Sequence, residues 1–487
     1  MSLRWPTDEQ WAILDEFSSG RHCVVEACAG AGKTSTLRMC ASQTSRRGIY
    51  AAFNRSIAQE AQRTFSDNVQ SSTVHSIAWR AYGNQFDYRM PSSDRPRQGG
   101  MERKAILGVT ETLTLSSGTY LSSARIASLA IDTVKRFCYS ADDEVSYSHV
   151  PFIKGAEDDM SVLREIVWPI ARRAWDDICD DHGKLVYTHD YYLKRYCMTR
   201  PQLGCDFLLI DEAQDANPVI TDLALHQDCQ RVLIGDSNQA IYEWRLAEDS
   251  LRNAEGTRLP LTKSFRFGPA IADVANEILG ELGSDTQVVG CDRDSTVGRI
   301  DEPSVILCRT NAVVVEHALA SQKRGKTVAV VGGADSILKL AEASKSLKAG
   351  KGTSHPDLFG FRTWEQVQAY VHEEKEDAGE IATFVRIIDE YGPDLVIGVA
   401  SATVPEQSAD VIVSTTHKAK GLEWSHVTLA DDFLARDVAE ELRLAYVAVT
   451  RAQDRLDDRG LKEARRKLAE RQEKREKRDQ VASSRRT

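Results

Sequence analysis

The chain has 487 residues, 42% hydrophobic and 28% charged. That is an ordinary globular composition, with length for about three domains at roughly 150 residues each. No run of eighteen apolar residues occurs, so no membrane-spanning helix is expected; MSLRWPTDEQ carries acids and no apolar core, so no secretory signal is expected. The 62 basic and 72 acidic residues give a net charge of −10, so nucleic-acid binding would have to come from local basic grooves and stacking side chains, not from the global field.

In chain order, short Val/Ile/Leu-rich runs recur at HCVVEA (22–27), FLLID (207–211), RVLIGD (231–236), SVILC (304–308), TVAVV (327–331), VIVSTT (411–416) and HVTLA (426–430). Without clean alternation they suit strands buried on both faces. Helical patterns lie between them, which predicts parallel α/β sheets with ligand sites beyond the carboxyl ends of the strands. Residues 88–198 break this rhythm and read as mostly helical. From Leu461 to Thr487 the chain holds eleven basic and five acidic residues and almost no apolar ones, as a solvated helix or disordered tail would. The ten cysteines scatter from Cys23 to Cys308 without a C-x-x-C pair. Reduced thiols are therefore expected, not a disulfide framework or a zinc site.

Residues 27–34 read ACAGAGKT, directly after the first apolar run. This is a Walker A loop with Ala27 in place of its first glycine. Across Ala29, Gly30, Ala31 and Gly32 the backbone can curl so that its N–H groups face phosphate oxygens. Lys33 would reach the β- and γ-phosphates, Thr34 would hold Mg²⁺, and Ser35, next after it, is counted with the ATP-binding residues. FLLIDEAQD ends a buried strand in Asp211 and Glu212, a Walker B arrangement. Asp211 would hold Mg²⁺ through water, and Glu212 would deprotonate the attacking water. In VLIGDSNQAIYEWR (232–245), Gln239 stands where an amide could read the γ-phosphate. Tyr242 and Trp244 suit base stacking, worth about 1–3 kcal/mol per base; core packing is the alternative for both.

Taken together, ACAGAGKT, DEAQD and GDSNQAIYEWR resemble motifs I, II and III of UvrD/Rep-like superfamily 1 DNA helicases. The remaining motifs stand in the same order: PTDEQ (6–10) resembles the Q motif, YAAFNRSIAQEA (50–61) motif Ia, STVHSIAW (72–79) motif Ib, LTKSFRF (261–267) motif IV, TTHKAKGLEW (415–424) motif V and EELRLAYVAVTRA (440–452) motif VI. The resemblance implies that Gln10 reads the adenine edge, Phe265 stacks on the adenine, Arg266 contacts the γ-phosphate, Glu423 binds the ribose and Arg451 acts as an arginine finger. It places Phe53, Asn54, Thr73, His75, Tyr242, Trp244, Arg245, Thr416 and His417 along single-stranded DNA. His75 and His417 could equally be structural histidines. Ser35 departs from the family, which often has Arg there.

The implied fold is α/β: two RecA-like parallel-sheet domains with ATP and Mg²⁺ in the cleft between them. Domain 1A would take 1–87 and 199–258, a helical insertion 1B 88–198, domain 2A 259–332 and 395–458, a reduced 2B-like insertion 333–394, and a charged tail 459–487. The implied activity is 3′ to 5′ movement on single-stranded DNA and at single/double-strand junctions, in repair, recombination or replication. A single-strand translocase that displaces proteins and unwinds poorly without a protein partner is an alternative, and a P-loop signalling switch is a second. No membrane partner is expected. YTHDYYLKRY (187–196) and LADDF (429–433) look like the helicase part of F-box DNA helicases, although no F-box precedes the motifs. A cytoplasmic, nucleoid-associated bacterial or phage protein is expected, or a nuclear one in a eukaryote.

Overall fold

The computed structural model describes residues 5–52, 55–92, 98–116, 120–153, 158–241, 251, 254–353, 355, 358, 361, 363–373, 379–434 and 439–484. The chain divides into two compact units: Met1–Ala27 with Gly32–Leu261, and Cys28–Ala31 with Thr262–Thr487.

The first unit holds strands β1 (Cys23–Ala27), β2 (Gly48–Ala52), β3 (Val69–Thr73), β4 (Leu113–Thr114), β5 (Tyr120–Leu121), β6 (Phe207–Ile210), β7 (Gln230–Gly235) and β8 (Thr257–Leu261). Six of them form one sheet in the order β3-β2-β6-β7-β1-β8, and every pairing is parallel. All residues of β2, β6 and β7 are buried, as expected where helices cover both faces. Pro260, which cannot donate to a ladder, sits in the edge strand β8.

Between β3 and β6 the chain is largely helical, with helices at Val74–Ala81, Gly100–Leu107, Ser123–Tyr139, Met160–Cys179 and His189–Met198. The antiparallel pair β4–β5 lies among them. Ile126, Ala130, Val134 and Phe137 recur at helical spacing and are buried with Val167, Ile170, Ala174 and Ile178 in one core. Two cations are buried there with their charges capped by carbonyls. Arg89 donates to the Asp180 and Leu185 carbonyls. Lys194 donates to the Ser140 carbonyl at 2.7 Å and lies over the Phe137 ring.

The second unit holds β9 (Thr296–Val297), β10 (Val305–Cys308), β11 (Val328–Val330), β12 (Val411–Thr415), β13 (Trp424–Leu429) and β14 (Ala452–Asp457). They form a second parallel sheet in the order β11-β12-β10-β13-β14-β9. The expected α/β class with two parallel sheets is therefore what the chain adopts. Helices Asp335–Lys348, Trp364–Glu373, Gly379–Tyr391 and Pro393–Ser401 occupy the stretch between β11 and β12. Trp364 is buried there, donating its indole N–H to Asp389 at 2.6 Å.

The charged C-terminal stretch is a helix, Arg459–Ser484. Its first turns are anchored by buried Leu461 and Ala464 and by Arg465 on Glu277 and Glu281. Among the described residues, no helix is long and apolar enough to cross a membrane.

Candidate functional site

β1 delivers the phosphate loop and β6 the acid pair at their carboxyl ends, with β7 lying between them in the sheet. Gly32 caps the helix Lys33–Ser42 with φ 80°, and Gly30 has φ 72°. Both are left-handed conformations that glycine adopts without steric cost. A Cβ on Gly30 would also meet Ser264 Oγ at 2.6 Å and Arg266 Cβ at 2.7 Å. The loop is therefore closed to larger residues by conformation and by space.

Within the first unit, Lys33 Nζ lies 3.2 Å from Glu212 Oε2. Thr34 Oγ1 donates to Asp211 Oδ2 at 2.6 Å, and the Tyr50 hydroxyl donates to the same oxygen at 2.8 Å. Burial pushes the Asp211 carboxyl above the usual carboxylate range and the Glu212 charge adds to the push; Lys33, Thr34 and Tyr50 offset only part of it. Burial works against the Lys33 ammonium, yet Glu212, Asp236 and Asp211 outweigh it and hold the ammonium above its ordinary range. Three carboxyl groups thus face one largely enclosed ammonium. That surplus of negative charge, beside a hydroxyl and a carboxylate already 2.6 Å apart, fits a divalent cation carried on a phosphate. Among the described residues no group of three or more His, Cys, Asp or Glu forms a metal cage. Thr34 and Asp211 are the residues that would hold such an ion.

Glu212 has φ 50° and ψ 45°, a left-handed conformation in a residue with a Cβ. Such strain costs about 1–2 kcal/mol and persists where the surroundings over-determine it. Here Gln214 does so: its Nε2 donates to Glu212 Oε2 at 2.7 Å, and its Oε1 accepts from the Asp236 amide at 2.9 Å. At the end of β7, Gln239 is buried and donates to Asp236 Oδ2 at 2.6 Å. Gln10 is also buried. It closes a capping box with Thr7 and donates to Thr36 Oγ1 at 3.0 Å, one turn beyond the phosphate loop. Ser35 is exposed.

The acid pair opens on a cavity of about 1110 Å³ lined by Trp79, Asp132 and His75 among others. His75 follows Thr73, whose hydroxyl caps the helix Val74–Ala81 by accepting from the Ser76 amide. His75 Nε2 stands 3.5 Å from Asp190 Oδ1, on a helix of the inserted segment. Burial opposes the Asp190 charge, but the His75 contact prevails and holds its carboxyl low.

In the second unit, Arg266 Nε donates to Glu423 Oε2 at 2.6 Å and its Nη1 to the Thr450 carbonyl at 2.9 Å. Burial opposes the Glu423 charge, but Arg266 and Gln453 keep its carboxyl below the usual range. Arg451 is 2% exposed, its guanidinium held by the Val447 and Leu422 carbonyls and by Thr450 Oγ1. Phe265 donates its amide to the Gly30 carbonyl at 2.8 Å, and the Ala29 amide donates to the Tyr446 hydroxyl. Ala31 is buried.

His417 is half-buried in the short helix Thr416–Ala419. Thr416 is fully buried and its hydroxyl turns inward to the Cys308 carbonyl. Phe53, Asn54, Tyr242, Trp244 and Arg245 lie outside the described residues.

Tyr50, Gln214 and Asp236 lie within the motif strings, yet the sequence alone assigns them no part in the site. Asp190 and Tyr446 likewise sat in recognised strings. Tyr50, Asp190 and Tyr446 have partners far away in the chain, and Gln214 joins Glu212 to Asp236 across two strands, so no local pattern marks them.

Two protein families match the chain. Residues 410–456 match the UvrD-like helicase C-terminal domain, and residues 10–245 match an AAA domain. The resemblance to UvrD-like superfamily 1 helicases holds. F-box DNA helicase 1 of Gallus gallus is 29% identical over 92% of the chain and 48% of its own length. F-box DNA helicase protein 1 of Schizosaccharomyces pombe is 28% identical over 92% of the chain and 57% of its own length. The chain thus spans about half the length of the curated relatives it matches. Its UvrD-like C-terminal match runs from β12 into β14 and includes both Glu423 and Arg451.

Proposed function

We propose that the chain is an ATP-dependent DNA helicase that moves 3′ to 5′ along single-stranded DNA. The observation that carries this is the constellation of Lys33, Thr34 and Glu212 around buried Asp211, set in a chain whose nine motifs keep superfamily 1 order. Bound with Mg²⁺, ATP supplies the phosphoryl transfer that drives motion.

The chain's own residues divide the work. Lys33 presents a charge held firmly positive by its three acids, and Thr34 with Asp211 would orient the metal. Glu212 would take a proton from the attacking water at its carboxylate. Gln239, tied to Asp236, would report the state of the γ-phosphate. The resemblance assigns Arg266 and Arg451 to that phosphate, Gln10 and Phe265 to the base and Glu423 to the sugar. Phe53, Asn54, Thr73, His75, Tyr242, Trp244, Arg245, Thr416 and His417 are proposed along the strand, with junctions as preferred substrates in repair, recombination or replication.

The segments 1–87 with 199–258, and 259–332 with 395–458, are proposed as domains 1A and 2A, with 88–198 as 1B and 333–394 as a reduced 2B. That reduced segment supports a second reading, a translocase that displaces proteins and unwinds poorly alone. Hydrolysis measured with and without single-stranded DNA, beside unwinding of 3′-tailed and 5′-tailed duplexes, tests both. Helicase action requires DNA-stimulated hydrolysis and loss of 3′-tailed duplex; stimulation without unwinding selects the translocase. Hydrolysis indifferent to DNA refutes both.

A further inference from the structure

Cys205 and Cys229 lie just before β6 and β7, outside the nucleotide site and every motif. Their sulfurs are 3.5 Å apart, at van der Waals contact, and both residues are half-buried. The sheet enforces this approach. Phe207 pairs with Gln230, and the Gln230 amide donates to the Asp206 carbonyl at 3.2 Å. That parallel register sets Cys229 opposite Asp206, diagonal to Cys205. Asp206 is itself pinned, its carboxylate accepting from the Arg47 amide at 2.7 Å. Six of the other eight cysteines are buried.

We propose that Cys205 and Cys229 are a reversible disulfide site, closed by exchange with a small-molecule disulfide such as oxidised glutathione.

The roles of the two thiols follow from their surroundings. Cys205 donates its S–H to the Cys229 sulfur, and that bond, with Arg231 nearby, draws the Cys229 thiol below its ordinary range despite burial. The same bond pushes the Cys205 thiol up. The thiolate is the nucleophile in exchange, so Cys229 attacks first. It bonds to one glutathione sulfur, the glutathione S–S bond breaks, and one glutathione leaves as its thiolate. Cys205 then gives its proton to solvent, and its sulfur attacks Cys229 Sγ. The mixed disulfide breaks and the second glutathione leaves. Two protein thiols are oxidised to one disulfide, and one glutathione disulfide is reduced to two thiols, which take up the two protons.

The bridge would close a loop from 205 to 229 that contains β6, Asp211, Glu212 and the helix Pro218–Leu225. A link of this kind restricts the unfolded chain across the segment. It would form at the end of the strands opposite the acid pair.

The test uses the full chain, incubated folded with oxidised glutathione, quenched with a thiol-blocking reagent and weighed intact. Cleavage before aspartates separates residues 190–205 from 228–235. The wild-type chain should lose the mass of two hydrogens at this pair, link those two peptides and revert with dithiothreitol. Cys205→Ser should stop with one glutathionyl group on 228–235, and Cys229→Ser should leave Cys205 unmodified. A wild-type chain that keeps both thiols free while Cys179 or Cys291 reacts overturns the proposal. So does a Cys205→Ser chain without glutathione on Cys229, or a linkage that runs through Cys197 and survives in Cys205→Ser.

Discussion

Glu212→Gln is the most discriminating single change in the phosphate-loop site. Glutamine keeps the shape and the acceptor oxygen for Gln214 Nε2, and it keeps the left-handed backbone, so the local strain is common to both forms. What changes is one charge, 3.2 Å from Lys33. Asp211 and Asp236 still face the ammonium, so Lys33 stays charged and nucleotide binding survives. The Asp211 carboxyl loses the repulsion that helps push it up and ionises at lower pH than before. One buried contact is lost and one repulsion is relieved, so folding stability should shift by no more than about 1–2 kcal/mol. Turnover is a different matter, since an amide cannot accept the proton of the attacking water. General-base catalysis contributes roughly 10²–10⁴-fold, a barrier increase of about 3–5 kcal/mol. The assay is phosphate release with and without single-stranded DNA, beside binding of a fluorescent nucleotide and thermal melting. Normal binding and melting with turnover down at least a hundredfold is the expected result. A well-folded variant that hydrolyses within tenfold of wild type refutes the assignment of Glu212 as base.

Lys33→Ala should abolish hydrolysis and weaken nucleotide binding, because Asp211, Glu212 and Asp236 lose the ammonium that compensates them; retained binding in a nucleotide titration would contradict this. Arg451→Ala should lower single-turnover hydrolysis by roughly 10³–10⁵, the range for arginine fingers, with nucleotide affinity kept; normal DNA-stimulated turnover would remove it from that role. Trp244→Ala should lower single-strand affinity by about 1–3 kcal/mol and leave basal hydrolysis intact, whereas a core tryptophan would reduce every activity and the melting temperature together. Glu16 is held at about 2, chiefly by its hydrogen bond to Arg21 and also by Thr257. Its folded value lies below the unfolded one, so its contribution is complete above the ordinary carboxylate pKa and lost as pH falls towards about 2. Melting curves should show Glu16→Gln less stable than wild type at neutral pH, the gap closing in acid; a gap constant with pH would exclude the Arg21 pairing as its source.

The phosphate loop and the acid pair were legible in the sequence because their chemistry is local. Gly30 and Gly32 must adopt left-handed backbone, Lys33 and Thr34 must follow at the helix start, and a buried strand must end in Asp211–Glu212. Seven apolar runs likewise announced strands buried on both faces. The parallel α/β class followed from their alternation with helices.

The other seven strands, β2 to β5, β8, β9 and β14, were not announced, and β8 and β14 show why. Thr257–Leu261 carries a proline tolerated only at the sheet edge, and Ala452–Asp457 has two aspartates in six residues, so neither reads as an apolar run. Their strand state was decided by pairing with β1 and β13. The supporting partners are further from legibility still. Tyr50 reaches Asp211 across 161 residues and Tyr446 reaches the Ala29 amide across 417. Asp190 meets His75 only because the inserted helices fold back onto the sheet. Cysteine spacing pointed to reduced thiols and no disulfide framework, and it could not show that the register of β6 on β7 brings Cys205 to Cys229. Short motifs record what the backbone needs within one turn or strand end; which distant side chain completes a charge or meets a thiol is set by sheet order and register, which belong to the whole chain.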